Sequence, residues 1–85
     1  MELLMEISVN VTGPEVKPVL IDVIGKRETF RVVNDPHQPV YILDSWDDSY
    51  YYVINLGQMQ IESLTKDVRV FPVKIKTIKV ELELA

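Results

Sequence analysis

Three aspartates lie within five residues of one another, Asp44, Asp47 and Asp48, in a segment that also holds the hydroxyl of Ser45. Carboxylate, hydroxyl and carbonyl oxygens are the ligands of Ca²⁺, which binds six to eight of them. Three neighbouring carboxylates repel one another, and a divalent cation would relieve that repulsion. The segment 44–49 therefore predicts a divalent-cation site, with Ca²⁺ as the expected ion and Asp35 of a neighbouring loop as a further ligand.

The spacing of these residues does not follow the EF-hand loop. Counted from Asp44, the third position is Trp46, the sixth is Ser49 where glycine is needed, and the twelfth is Asn55 where a bidentate glutamate is needed. An irregular, partly hydrated site, which Asp22 could also join, is expected to bind weakly, with a Kd on the order of 10⁻⁴ M. The alternative is that these aspartates and serines only form a turn by bonding to their own backbone.

Aromatic residues surround the same segment. Trp46 lies within it, and Tyr50, Tyr51 and Tyr52 follow directly. On an extended strand, Tyr50 and Tyr52 share one face. Aromatic rings framed by acids resemble the surfaces that small barrels present to proline-rich or methyl-lysine peptides. Trp46, Tyr50 and Tyr52 are therefore candidate partner-binding residues if they are exposed together; the alternative is that they pack separately in the core.

Other chemistry finds little support in the sequence. His37 is the single histidine, there is no cysteine, and the three glycines are too dispersed to cradle a phosphate. We therefore expect no catalysis. The 13 acidic against 9 basic residues, a net charge of −4, argue against a nucleic-acid partner, which needs a basic face. The expected partners are a divalent cation, or a protein or peptide.

The start of the chain lacks the features of a signal peptide, and no apolar run is long enough to span a bilayer. We expect a cytoplasmic protein, monomeric or homodimeric, without a membrane partner. Few asparagines and glutamines, and many valines, isoleucines, glutamates and lysines, favour a heat-adapted source.

The elements that must position these residues are mainly strands. Valine and isoleucine account for 21 of the 85 residues, and Ala85 is the single alanine. Side chains branched at Cβ suit a pleated sheet better than a helix. Alternation and turn signals predict strands at residues 5–11, 29–33, 40–43, 50–56 and 68–71, and a loop at 34–39. Residues 19–24 fit a strand or a helix, and their branched side chains favour the strand.

Two further patterns shape the rest of the chain. Residues 58–66 are good helix formers, and Ile61, Leu64 and Val68 have helical spacing, so a short helix is predicted there. Pro72 predicts an edge or a bend. The final strand alternates but changes phase, which predicts a β-bulge near Thr77.

Residues 1–85 are therefore expected to form a single α+β domain, mainly antiparallel β with about six short strands and one short helix near 58–66. The alternative is an all-β barrel of SH3-like or OB-like kind. The expected function is a small acidic binding protein with a Ca²⁺ site in the hairpin loop 44–49. The alternative function is a protein-interaction module or assembly subunit that uses the Tyr/Trp surface.

Overall fold

The computed structural model describes residues 3–12 and 17–84, which form a mostly antiparallel β-sheet curled into a half-barrel. The strands are β1 (Leu3–Thr12), β2 (Val19–Leu20), β3 (Thr29–Val32), β4 (Tyr41–Trp46), β5 (Tyr50–Asn55), β6 (Gln60–Thr65) and β7 (Arg69–Leu84). Their order across the sheet is β1-β7-β3-β4-β5-β6, and β2 pairs with β7 beside this path. The predicted antiparallel character is confirmed, and the architecture supports the all-β alternative.

The short helix predicted at 58–66 is wrong. These residues complete a turn and form β6, which pairs with β5 from Asn55↔Gln60 to Tyr50↔Thr65 without a break. Helical spacing does not produce an apolar stripe here, because Ile61 and Leu64 point to opposite sides of the strand. The hydrogen bonds of the ladder with β5 outweigh the small helix propensities of this segment. The one helical element in the described residues is a 3-10 turn, Ile21–Val23.

The same turn shows the secondary structure of segment 19–24, for which the sequence fits a strand or a helix. Only its first two residues pair as a strand, with Val70 and Arg69 of β7, and the chain then turns so that Ile21 is fully buried. The strand expected over the whole segment is therefore correct for Val19–Leu20 alone.

The core lies on one side of the sheet, which we call the inner side. Alternate residues of β4 and β5 point into it, as expected for strands with one buried face. Phe30 stacks on Tyr41, with ring centroids 5.8 Å apart. The buried residues that pack together as the core cluster are Ile21, Ile24, Phe30, Tyr41, Leu43, Tyr51, Val53 and Val70. Burying each large side chain contributes roughly 1.5–3 kcal/mol.

The last strand, β7, is longer than expected and joins two predicted strands. It continues through Pro72, which lies between the segment paired with β2 and the segment paired with β1. A proline, which lacks an N–H, is tolerated where a ladder changes partner. The bulge near Thr77 is confirmed: Asn10 pairs with Thr77 and Val11 with Ile75, which leaves Lys76 as the extra residue.

The paired segments 3–12 and 74–84 extend from the half-barrel as a two-stranded ribbon, which we call the arm. Within the described ranges, no helix is long and apolar enough to cross a membrane.

Candidate functional site

The acidic segment 44–49 closes the β4–β5 hairpin, and Asp47 organises it. One carboxylate oxygen of Asp47 accepts the backbone N–H groups of Ser49 and Tyr50, each at 2.8 Å. The other oxygen accepts the hydroxyl of Tyr52. This hydroxyl, and then the two backbone donors, hold the pKa of Asp47 below its usual value. The same bond raises the pKa of the Tyr52 hydroxyl.

The other predicted ligands do not converge on Asp47. Asp44 is the bulged residue of β4, and its carboxylate accepts the hydroxyl of Ser45 at 3.3 Å. Asp48 is exposed, and Asp35 lies in a separate loop, where it accepts the backbone N–H of His37. Among the described residues, no group of three or more His, Cys, Asp or Glu side chains is placed to hold a metal ion. The geometry thus favours the turn-forming role, and the Ca²⁺ site stays a prediction that no contact here supports.

The aromatic residues are not gathered on one surface either. Trp46 is 53 % exposed and pairs with Tyr51, so these two side chains lie on the same side of the hairpin with ring centroids 6.1 Å apart. Tyr51 is buried, and the Lys66 ammonium lies 4.3 Å from the centre of its ring. Tyr50 is 44 % exposed, but it and Tyr52 point to the opposite side of the hairpin. The three candidate residues therefore do not form a shared aromatic surface.

A different site lies on the inner side of the sheet, in a cleft of about 440 Å³. The cleft is lined by Asp35, His37, Pro39, Tyr41, Asn55, Gly57, Gln58 and Glu62. Its walls are the 34–39 loop, the facing parts of β4, β5 and β6, and the turn between β5 and β6. Sequence patterns did not predict this cleft, because residues 58–66 have the residue types and spacing of a helix.

Glu62 and Asn55 form the floor of the cleft. One oxygen of Glu62 accepts the hydroxyl of Tyr41 at 3.3 Å, and the other accepts the side-chain amide of Asn55 at 3.1 Å. Asn55 is buried, and its carbonyl oxygen accepts the backbone N–H groups of Gly57 at 3.1 Å and Gln58 at 3.3 Å. These bonds connect the shape of the turn to the position of the Glu62 carboxylate.

The cleft is acidic. Burial, followed by the nearby carboxylates of Glu62 and Asp35, raises the pKa of Tyr41 to about 12. No Lys or Arg is found among the described residues that line the cleft. Two carboxylates without a resident cation favour a positively charged guest, such as the side chain of a lysine or an arginine.

The strand that borders the cleft, β6, has a free edge. It pairs with β5 on one side, and no other strand of the described chain pairs with it. Natural edge strands are commonly protected by lysines, prolines or bulges. β6 carries no lysine, proline or bulge, and its one charged residue, the inward-pointing Glu62, is its single protective feature. Ile61 points to the other side and is 78 % exposed.

Comparisons with protein-family models, with curated proteins and with solved structures found no match to this chain.

Proposed function

We propose that the protein is a peptide-binding interaction module in which an extended segment of a partner protein adds to the free edge of β6. The observation that carries this proposal is the position of a regular edge strand, without lysine, proline or bulge, directly beside an acidic cleft. Edge strands bind peptides through backbone hydrogen bonds, which supply affinity, while pockets for alternate side chains supply specificity. The free N–H and C=O groups of β6 would supply the affinity, and the cleft would supply the specificity.

The alternation of side chains in an added strand defines the partner. Every second side chain would point to the inner side, toward Glu62 and Asp35, and the others would lie beside Ile61. We therefore expect a segment with a lysine or arginine at one position and β-branched or apolar residues on either side of it. The net charge of −4 favours the approach of such a basic segment.

This proposal keeps the interaction module that was the alternative function predicted from the sequence. Its binding residues are those of β6 and the cleft, in place of Trp46, Tyr50 and Tyr52. Glu62 would take the role of charge partner for the bound cation. The absence of catalysis remains a prediction.

The experiment is a titration of isotope-labelled protein with a seven-residue peptide that has a central lysine between threonines and valines. We expect amide shift changes along residues 60–65 and at Tyr41 and Asn55. In Glu62→Gln, binding should weaken roughly ten-fold, as expected for the loss of one partly buried charge pair.

Glu83→Gln is the matched control, since it removes the same charge from the arm, far along the chain from the cleft, and should leave binding unchanged. A peptide with norleucine in place of lysine should bind as weakly as Glu62→Gln does to the original peptide. Absence of shift changes along β6, or equal binding of both peptides, would contradict the proposed function.

A further inference from the structure

The arm has one wholly apolar face. Cross-strand partners in a ladder point to the same side, and here that side carries Met5, Ile7, Val9 and Val11 of β1 with Ile75, Ile78, Val80 and Leu82 of β7. The bulge at Lys76 keeps these two rows in register. Four members, Met5, Ile78, Val80 and Leu82, are between 50 % and 62 % exposed. The structure therefore leaves this face uncovered.

An uncovered two-stranded ribbon is at most marginally stable in water, and further strands or a packed partner are needed to secure it. The apolar face also continues onto the half-barrel. Ile75 and Val73 point to the same side of β7, so the face extends along β7 to the strand segment that pairs with β3. Four neighbouring apolar side chains that are each at least half exposed form a contiguous patch, which, on the order of a few hundred Å², exceeds what scattered surface residues supply.

The lack of charge on this face indicates what kind of partner can cover it. The charged residues in the ladder of the arm, Glu6, Lys74, Lys79, Glu81 and Glu83, lie on the opposite face. The apolar face therefore has nothing to attract a charged partner, and it lacks the Trp, Tyr, Lys and Arg that anchor a surface to lipid headgroups. An uncharged apolar face is complementary to itself.

We infer that the apolar face of the arm is the interface of a homodimer, in which the same face of a second copy of this chain packs against it. A two-fold axis places one patch on its own equivalent. Two sheets stacked in this way lie about 10 Å apart with interdigitated side chains. Glu81, directly opposite Glu6, forms an exposed ion pair with Lys79 at 2.9 Å, so the other face of the arm is the charged, solvated one.

The test compares two double variants of β7 by sedimentation velocity over a hundred-fold range of concentration. Val80→Thr with Leu82→Thr removes apolar surface from the interface and places a β-branched residue, which suits a strand, at each position. Lys79→Thr with Glu81→Thr makes the same change on the solvated face. The wild type should sediment at twice the 9.8 kDa chain mass, as should the second variant. The first should dissociate, with a dimer dissociation constant roughly a hundred-fold higher.

A second measurement does not depend on the folding of any variant. In a mixture of labelled and unlabelled wild-type chains, we expect intermolecular contacts between the methyl groups of Ile78, Val80 and Leu82. A wild type that stays monomeric at all concentrations would overturn the inference, as would a dimer without these contacts. Neither outcome concerns the β6 edge, whose peptide titration is read from different residues.

Discussion

Asp47 shows how a single carboxylate can fix a loop at the residue scale. Its ionised form accepts the hydroxyl of Tyr52 and two backbone N–H groups, and these bonds lower its pKa in the folded state. A lowered folded-state pKa gives stability that is present above the unfolded-state pKa and is lost as the pH falls through the folded value. The hairpin loop should therefore weaken in acid.

We predict that Asp47→Asn lowers the urea midpoint at pH 7 and that the difference from the wild type shrinks as the pH falls below 4, about where free aspartate titrates. Denaturation curves at several pH values measure this difference. Asp48→Asn, a change at an exposed neighbour, is the control and should match the wild type at each pH. A constant difference between Asp47→Asn and the wild type across this range would contradict the prediction.

The pKa of Tyr41 is shifted upward, whereas that of Asp47 is shifted downward. Its pKa of about 12 lies above the ordinary value of 10 because the fold favours the neutral hydroxyl. The resulting stability is fully present below the unfolded-state pKa and is lost as the pH rises through the folded value. We predict that near-ultraviolet absorbance shows a tyrosine ionising near pH 12 that disappears in Tyr41→Phe. Tyr50→Phe should retain this step; its loss there would refute the assignment.

Asn55 is the residue that joins the β5–β6 turn to the cleft. Replacement by alanine removes bonds to Glu62, Gly57 and Gln58 from a buried position. We predict a loss of about 2–3 kcal/mol in the free energy of unfolding, because each such bond contributes about 1 kcal/mol. Urea denaturation measures it. Gln60→Ala, at the exposed partner position of Asn55 in the ladder, should cost much less.

At the scale of elements, the arm shows what one extra residue does. Lys76 is the bulged residue, so its deletion leaves Asn10 opposite Thr77, Val11 opposite Ile75 and a regular ladder between them. We predict that this deletion preserves the protection of arm amides from hydrogen exchange. Deletion of Lys79 removes the same residue type from the regular ladder, and it would turn Val80 and Leu82 to the charged face. That deletion should abolish the protection; equal protection in both would contradict the register.

The elements also show where sequence patterns were sufficient. Strict alternation from Met5 to Val11 predicted β1, and the phase change in the last strand predicted the bulge, since both signals are local and follow the pleat. The helix at 58–66 failed because its propensities are small beside the hydrogen bonds that β5 offers. An exposed Ile61 could not be distinguished from a core residue without knowing its partner strand.

The site was harder to predict than the fold. Asp44, Asp47 and Asp48 are close in sequence, but Asp44 bonds to Ser45, Asp47 bonds within the turn and to Tyr52, and Asp48 is exposed. The cleft depends on a residue that is distant in sequence: Glu62 lies 21 residues beyond Tyr41, and the pairing of β4 with β5 and of β5 with β6 brings the two together. Because residues 58–66 were predicted as a helix, the second of these pairings was not expected.

The whole molecule has two proposed surfaces of opposite chemistry, an acidic cleft and an apolar arm, and salt should affect them in opposite ways. Raising the ionic strength from about 0.01 M to about 1 M shortens the screening length from about 30 Å to about 3 Å. We predict that the lysine peptide then binds more weakly, while dimerisation is unchanged or strengthened, because excluded salts favour apolar burial. Fluorescence anisotropy of a labelled peptide measures the binding, and sedimentation measures the dimerisation. If salt weakened both peptide binding and dimerisation, or strengthened both, the assignment of the two surfaces would be contradicted.

The strand order places β1 and β6 at opposite ends of the sheet. A pair of chains joined through their arms would therefore keep both β6 edges open and hold them at a fixed separation. A ligand that carries two basic segments on a linker of matching length would engage both at once, and its avidity could exceed that of one segment by about 10²–10⁴-fold without any new contact. Spacing between repeated motifs, more than the motif itself, would then determine which ligands are retained.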